Sequence, residues 1–231
     1  CKQHPKKEII QFVDGPEWSF DDLKNIAFEK AKTLRDLSIN QGDTVTVMVD
    51  DPVDFIPYWV ASSFLGVMFV ALNTALKGSV LLHQIRLANS NVIIVSDVYY
   101  EDVAQLVQEN KSKIKILNCS KLKSTGMILE KDVYHGKISD EVCTMFTSGT
   151  SGPSKGVLMP NAHCVLFAVG TIENYKLNHE TNNSKKIVNE VIPDLDLSDD
   201  NFPHMSFKHT KIGKINCRVM RISFTGEHSY E

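Results

Sequence analysis

The sequence predicts an α/β fold in which a parallel-rich sheet is covered by helices on both faces. Strand-like segments alternate with helical segments of roughly 10 to 20 residues along the first three quarters of the chain, as in successive strand–helix–strand crossovers. The strand segments are continuously apolar or β-branched, which is typical of parallel strands buried on both sides. These two observations decide the fold class.

The first half of the pattern opens with a helix after Ser19. This serine is a candidate N-cap, and Asp21 and Asp22 stand in the first turn, where carboxylates complement the helix dipole. Apolar residues then recur at helical spacing as far as Leu37. The next four segments are predicted as a strand, a helix, a strand and a helix: Thr44–Val49, Val53–Leu65, Met68–Leu72 and Gly78–Ser90.

The second half continues in the same way and then changes character. The predicted order is strand, helix, strand, strand, helix: Asn91–Ser96, 100–110, Lys113–Leu117, Glu141–Phe146 and Asn161–Tyr175. After about residue 178 the periodicity weakens. Asn, Asp, Ser and Lys become common, and Pro193 and Pro203 would interrupt regular secondary structure. We therefore expect one domain portion over 1–178 and an irregular or divergent tail over 179–231.

Composition excludes several classes of function. The 231 residues carry 25 basic and 28 acidic side chains, a formal net charge of −3, which predicts no nucleic-acid partner. The apolar run over 58–72 is shorter than the ~20 residues of a spanning helix and contains serines, so no transmembrane segment is predicted. Five scattered cysteines without a C-x-x-C pair predict a reduced intracellular compartment, the cytoplasm, and no metal site.

The most informative segment is TSGTSGPSKG, at 147–156, between a predicted strand and a predicted helix. Backbone N–H groups of such a loop form an anion-binding concavity, and its glycines allow close approach to a ligand. Hydroxyl groups add donors, and a lysine adds a mobile positive charge. The alternative is a chemically silent polar turn. The candidate polyphosphate-binding residues are Thr147, Ser148, Gly149, Thr150, Ser151, Gly152 and Lys155.

Two familiar phosphate motifs do not fit this loop. A Walker loop has glycine immediately before its lysine and serine or threonine after it, whereas Ser154 precedes Lys155 and Gly156 follows it here. No G-x-G-x-x-G pattern occurs either, so a dinucleotide-binding site has no support. A kinase-like NTPase is therefore the least favoured reading.

TSGTSGPSKGV instead resembles the signature loop of the adenylate-forming, or AMP-binding, enzymes. Their pattern reads T-S-G-T-[ST]-G-x-P-K-G-V; here Pro153 stands one place early and Ser154 fills the proline position. The resemblance covers about residues 15–178, includes ALNTALKG at 71–78, and is greatest to the acyl-CoA synthetase branch. It implies that the chain is the N-terminal part of the large domain of such an enzyme.

The resemblance also implies a chemistry. A carboxylic acid attacks the α-phosphate of ATP to give an acyl-adenylate and pyrophosphate, and a thiol, expected to be coenzyme A, then takes the acyl group. Residues 147–152 would wrap the β- and γ-phosphates with help from Lys155. Mg²⁺ would be carried on the phosphates, because a hard ion shared with substrate oxygens needs few protein ligands.

Later motifs of the family are not found, so no catalytic residue is assigned. HTKIGKINCR at 209–218 resembles the family's terminal T-x-x-G-K-[IV] segment, which makes Lys214 a candidate relic of the adenylating lysine; the alternative is an exposed basic tail. His83 and His163 fall in predicted helices and are expected to be packed or surface residues. Cys143 and Cys164 are expected to be small core residues rather than nucleophiles.

Two functions remain open at the level of the sequence. The first is a truncated acyl-CoA synthetase-like ligase that binds ATP and a carboxylic acid. The second is a non-catalytic nucleotide-binding or interaction module, in which an exposed truncated face takes a protein partner.

Overall fold

The computed structural model describes residues 4–12, 15–111, 113–147, 153–175, 192–196, 198, 201, 206–212, 215–222 and 229–230. The chain divides into two compact units. The first consists of Cys1–Asp21 together with Phe167–Glu231, and the second is the continuous segment Asp22–Leu166. The parallel sheet and the candidate loop belong to the second unit.

The described secondary structure is numbered in chain order. The strands are β1 Glu8–Gln11, β2 Glu17–Ser19, β3 Thr44–Met48, β4 Met68–Ala71, β5 Val92–Val95, β6 Lys115–Asn118, β7 Glu141–Phe146, β8 Gly156–Pro160, β9 Ser206–Ile212, β10 Ile215–Ile222 and β11 Ser229–Tyr230. The helices are α1 Phe20–Asp36, α2 Pro52–Leu65, α3 Gly78–Ala88, α4 Asp97–Glu109 and α5 Asn161–Tyr175. Short 3₁₀ turns lie at 119–121 and 130–132.

One six-stranded sheet organises the Asp22–Leu166 unit. Its strand order is β6-β5-β3-β4-β7-β8, and every pairing is parallel except that of β7 with β8. The prediction of a parallel-rich α/β sheet is confirmed. Because β3 lies between β4 and β5, the chain winds outward from it in both directions.

Helices cover both faces of the sheet, as the sequence predicts. On β3, Val45 and Val47 point into a core shared with α1 and α2, whereas Met48 points into a second core shared with α3 and α4. On β5, Ile93 and Ile94 divide between the two cores in the same way. Side chains alternate across a strand, so a strand buried on both faces is apolar or β-branched at successive positions.

A turn at Gly66 ends α2 and starts the approach to β4. Its φ of +65° lies in the left-handed region, and its N–H bonds back to the carbonyl of Ser63. A Cβ at this position would lie 2.6 Å from the ring of Tyr134. Glycine is therefore required both for the backbone conformation and for the close approach of the aromatic ring.

We expect Gly66→Ala to lower the free energy of unfolding by about 2–5 kcal/mol, since it combines left-handed strain with overpacking. Gly78→Ala is the matched control, because Gly78 also has a positive φ, +56°, but its Cβ would meet no atom within 4 Å. That control should lose only about 1–2 kcal/mol. Urea denaturation measures both, and equal losses would show that the Tyr134 contact contributes nothing.

The predicted strand–loop–helix arrangement around the candidate loop is wrong. Strand β8 follows the loop and pairs antiparallel with β7, from Phe146 opposite Gly156 to Glu141 opposite Pro160. The helix α5 begins only after β8. The loop therefore connects the two strands of a hairpin. The segment GVLMP does not alternate in burial, because Val157 and Leu158 are both exposed, so it carries no strand periodicity.

The described residues of the other unit form two antiparallel sheets. Strands β1 and β2 pair with Ile10 opposite Trp18, and the rings of Phe12 and Trp18 meet edge to face at 4.6 Å. Strand β10 pairs with β9 and with β11. Strands thus occur at 206–212 and 215–222, where the sequence predicts irregular or divergent structure, while the boundary at residue 178 stays a prediction.

No helix among the described residues is long and apolar enough to cross a membrane.

Candidate functional site

A cleft opens at the carboxyl edge of the sheet, where the winding direction reverses. After β3 the chain enters α2, which packs on one face, and after the neighbouring β4 it enters α3, which packs on the other. In open α/β sheets, ligands bind at such a switch point, outside the carboxyl ends of the strands. The cleft has a volume of about 990 Å³.

The walls of the cleft come from five elements of the Asp22–Leu166 unit. They are the carboxyl ends of β3, β4 and β7, together with residues of α2 and α3. Apolar side chains form most of the lining, with hydroxyl, amide and imidazole groups among them. The residues are Val49, Phe55, Ala71, Leu72, Asn73, Thr74, Leu76, Ser79, Val80, His83, Gln84, Phe146, Thr147, Pro153 and Ser154.

The turn after β4 is fixed locally by its own sequence. The side-chain oxygen of Asn73 accepts from the N–H of Ala75 at 2.9 Å, and its carbonyl accepts from the N–H of Leu76 at 3.1 Å. This arrangement is an asparagine-initiated turn. It directs the chain from the sheet edge into α3, whose residues His83 and Gln84 face the cleft.

The two ends of the candidate loop are held together by three hydrogen bonds. The N–H of Thr147 donates to the carbonyl of Lys155 at 3.0 Å, and the N–H of Lys155 donates to the hydroxyl oxygen of Thr147, also at 3.0 Å. The Ser154 hydroxyl donates to the carbonyl of Thr147 at 2.8 Å. Thr147 keeps its hydroxyl hydrogen for donation, because its oxygen is the acceptor in the second bond.

Ser154 also joins the loop to α3. Gln84 donates from Nε2 to the Ser154 hydroxyl oxygen at 3.2 Å. The ring of His83 bonds through Nε2 to the Ser154 carbonyl at 2.8 Å, and this nitrogen must carry the hydrogen because a carbonyl only accepts. The serine that replaces the proline of the signature pattern thus makes side-chain contacts that proline could not make.

The charge around the cleft suits an anion. None of the described residues that line it is acidic, and Lys155, next to Ser154, is exposed. Asp50 follows directly on Val49, but hydroxyl groups of Ser96 and Tyr99 donate to its two carboxylate oxygens at 2.9 and 3.1 Å. The described residues contain no group of three or more His, Cys, Asp or Glu side chains that could hold a metal ion.

The structure locates part of the predicted site. Thr147 lines the cleft and Lys155 lies at the base of the loop. Ser148, Gly149, Thr150, Ser151 and Gly152 lie outside the described residues, as does Lys214. The role of residues 147–152 and Lys155 as phosphate ligands stays a prediction, and so does the interpretation of Lys214 as a relic of the adenylating lysine.

Sequence reasoning did not find the part played by α3. The sequence predicts His83 to be a packed or surface residue, marks Ser154 only as a departure from the signature pattern, and gives no sign of Gln84. His83 and Ser154 are 71 positions apart in the chain, and nothing in the local pattern of α3 marks the side that meets the loop. Only the parallel topology brings them together.

The cysteines near the sheet have the character of core residues. Burial, followed by the negative charge of Asp54, raises the pKa of the Cys119 thiol to about 11. Burial also raises the pKa of the Cys143 thiol. Since the thiolate is the nucleophile, both groups are weakly reactive near neutral pH.

Comparison with known proteins identifies the family. The model of the AMP-binding enzyme family matches residues 1–190. This chain belongs to the AMP-binding enzyme family. The resemblance of its loop to the signature pattern therefore reflects membership rather than coincidence.

Curated relatives of this AMP-binding chain include two kinds of CoA ligase. A 2-succinylbenzoate–CoA ligase from Oceanobacillus iheyensis is 29% identical over 155 residues, which cover 66% of this chain and 31% of the relative. A 4-coumarate–CoA ligase from Vanilla planifolia is 25% identical over 166 residues, 65% of this chain and 30% of the relative. The chain spans about a third of the length of the curated relatives it matches.

Solved structures show the same fold. The o-succinylbenzoate–CoA synthetase of Bacillus subtilis in complex with AMP superposes with a TM-score of 0.68 at 21% identity, covering 77% of this AMP-binding chain and 45% of that one. ATP-bound MatB from Rhodopseudomonas palustris superposes with a TM-score of 0.63 at 19% identity, covering 74% and 35%.

We expect Cys119 to alkylate slowly in the native chain, with a rate that rises about tenfold per pH unit from 8 to 10, because the reactive thiolate accumulates only near its raised pKa of about 11. An ordinary thiol levels off above about pH 8.5. Iodoacetamide labelling with peptide mass spectrometry follows the site, and the urea-unfolded chain is the reference. A native rate that levels off near pH 9 would contradict the raised pKa.

Proposed function

We propose that this chain supplies the pyrophosphate-binding part of an ATP-dependent acid–thiol ligase of the acyl-CoA synthetase type. The observation that carries the proposal is the position of the loop. Its two ends, Thr147 and Lys155, are joined at the carboxyl end of β7, beside a cleft at the switch point of the sheet that has no acidic lining among its described residues. A polyphosphate is the ligand class that fits a loop rich in hydroxyls and glycines at this place.

The proposed reaction has two group transfers. In the first, a carboxylate oxygen of the acid attacks the α-phosphorus of ATP, the bond to the bridging oxygen breaks, and pyrophosphate leaves with the electron pair. In the second, a thiol sulfur, which loses its proton, attacks the acyl carbon and AMP leaves. The relatives named as CoA ligases favour coenzyme A as the thiol. The part of this chain is to hold the leaving pyrophosphate through charge and positioned donors.

Magnesium enters this scheme as part of the MgATP substrate. The described residues offer no acidic cluster for a resident ion. That composition fits an ion held mainly by the phosphate oxygens and water, as Mg²⁺ commonly is. The free thiols Cys119, Cys143 and Cys164 accord with a reducing, cytoplasmic setting.

Two variants test the phosphate-binding role. Lys155→Ala removes a positive charge. Gly149→Val adds a β-branched side chain where the predicted loop uses glycine to approach the phosphate closely. We expect each variant to weaken ATP binding about tenfold or more, on the scale of one charge-assisted hydrogen bond. Lys131→Ala, at an exposed lysine outside the cleft, is the control. Calorimetric titration gives the affinities, and circular dichroism checks the fold. Unchanged affinity in both loop variants would sink the assignment.

The nature of the products separates ligase from kinase chemistry. Adenylation releases pyrophosphate and AMP, whereas a kinase-like or hydrolytic reaction at the γ-phosphate releases ADP. If nucleotide is turned over during incubation with MgATP, coenzyme A and a panel of carboxylic acids, we expect AMP as the nucleotide product and no ADP. ADP formation that Lys155→Ala abolishes would assign the site to γ-phosphate transfer instead.

A second function is favoured by a separate observation. Apolar side chains are exposed on β7, β8 and the first part of α5: Met145, Val157, Leu158, Val165 and Leu166. Met145 and Val157 lie opposite each other in the β7–β8 hairpin and share one of its faces, and exposed apolar side chains grouped on one face favour an interaction surface. The chain would then act as a nucleotide-binding interaction module. ATP binding without acid-dependent exchange of pyrophosphate into ATP is the result that would favour this function.

A further inference from the structure

Ser154 links the two ends of the loop to each other and to α3 through hydrogen bonds. Its hydroxyl donates to Thr147 at 2.8 Å and accepts from Gln84 at 3.2 Å, while its carbonyl accepts from His83 at 2.8 Å. These three bonds connect both ends of the loop to one helix. We call the group Ser154, Gln84 and His83 the loop clamp.

The geometry of the loop clamp points away from a packing role. Gln84 is buried, at 5% exposure, and its amide is directed at the loop rather than at either apolar core. A buried amide without an acceptor is costly, so the Ser154 hydroxyl compensates Gln84 while it holds Thr147. A single hydroxyl thus serves two elements, and the loop cannot shift at its base without breaking both bonds.

The helix that carries the clamp is itself firmly placed. Leu81, Leu82, Ile85 and Ala88 of α3 are buried, and Leu81 and Ile85 belong to the second core. His83 and Gln84 therefore project from a fixed support. Side chains on a packed helix hold a neighbouring loop more rigidly than side chains of another loop would.

We propose that His83 and Gln84 are positioning residues, which act through Ser154 to hold the loop in the form that binds polyphosphate. This inference rests on the proposed function, because it assigns the affinity of that same loop. A loop that is already held in its binding conformation loses less conformational entropy when the ligand binds, so the affinity is higher. Loss of the clamp should therefore weaken polyphosphate binding while leaving the sheet intact.

The test compares affinities for pyrophosphate and ATP. Ser154→Ala and Gln84→Ala should each weaken binding about fivefold, the usual scale for one neutral hydrogen bond. The double variant should lose little more than Ser154→Ala alone, because that change already removes the bond that Gln84 makes to the Ser154 hydroxyl. Ser154→Thr keeps a hydroxyl and should restore affinity. Gln105→Ala on α4, where the amide donates to Glu109, is the matched control and should change nothing.

A second readout does not depend on nucleotide. The N–H of Lys155 donates to Thr147 at the base of the loop, so its hydrogen exchange reports whether that base is closed. His83→Ala, Gln84→Ala and Ser154→Ala should each speed exchange at Lys155 and tryptic cleavage after it, while circular dichroism shows that the fold is retained. Two results would contradict the inference: losses of affinity that simply add in the Gln84→Ala/Ser154→Ala double variant, or unchanged exchange at Lys155 in all three single variants.

The two readouts separate failure of the clamp from failure of the proposed function. A native chain that binds neither pyrophosphate nor ATP overturns the function together with the inference about affinity. Native binding with variants that bind equally well leaves the function in place and removes the role of the clamp. Faster exchange together with weaker binding supports both.

Discussion

Parallel pairing on both sides of β3 is the constraint on which the rest of the structure depends. Thr44–Val47 pair with β4 on one side and Val45–Met48 pair with β5 on the other, so β3 is an interior strand of the sheet. Helices also cover both faces of this strand, so its side chains are buried and mostly apolar, and the one buried hydroxyl, that of Thr46, is hydrogen-bonded to the hydroxyl of Ser90. The pairing on both sides of β3 also forces the next two crossovers onto opposite faces, and that reversal creates the cleft. The position of the cleft is therefore set by the strand order, and the side chains that line it decide only its chemistry.

The loop reaches this cleft through β7, which joins the sheet beside β4 with only two aligned residue pairs, Phe69 with Cys143 and Val70 with Thr144. Such a short junction would define the position of a long loop poorly. The added strand β8 and the contact with α3 supply what the junction lacks. The antiparallel pairing of β8 with β7 sets where the loop begins and ends. Glycine is favoured at position 156, because a Cβ there would lie 3.0 Å from the side chain of Thr144. The contacts of α3 with Ser154 then hold the base of the loop against the cleft.

Much of the fold could be predicted because its signals are local. The runs at 44–49 and 91–96, the helical spacing of α1 and the density of small residues at 147–156 are all contained within short windows. Strand β8 has no clear signal of its own, because GVLMP is short and does not alternate apolar with polar residues. Strands β9 and β10 were missed because mixed polar residues acquire strand structure from pairing with each other. The contacts of His83 and Gln84 with Ser154 join positions about 70 residues apart, which no periodicity reports.

The order of the strands along the chain has a consequence for synthesis. Strands β3 to β6 lie between residues 44 and 118, and their pairings require nothing that comes later in the chain. A four-stranded sheet with its covering helices can therefore assemble while the ribosome is still adding residues 141–160, since chains generally fold from the N-terminal side during translation. The hairpin that carries the loop then docks against a finished edge at β4. Variants that slow this late docking would leave the edge of β4 open in the nascent chain and invite association with other unfinished chains.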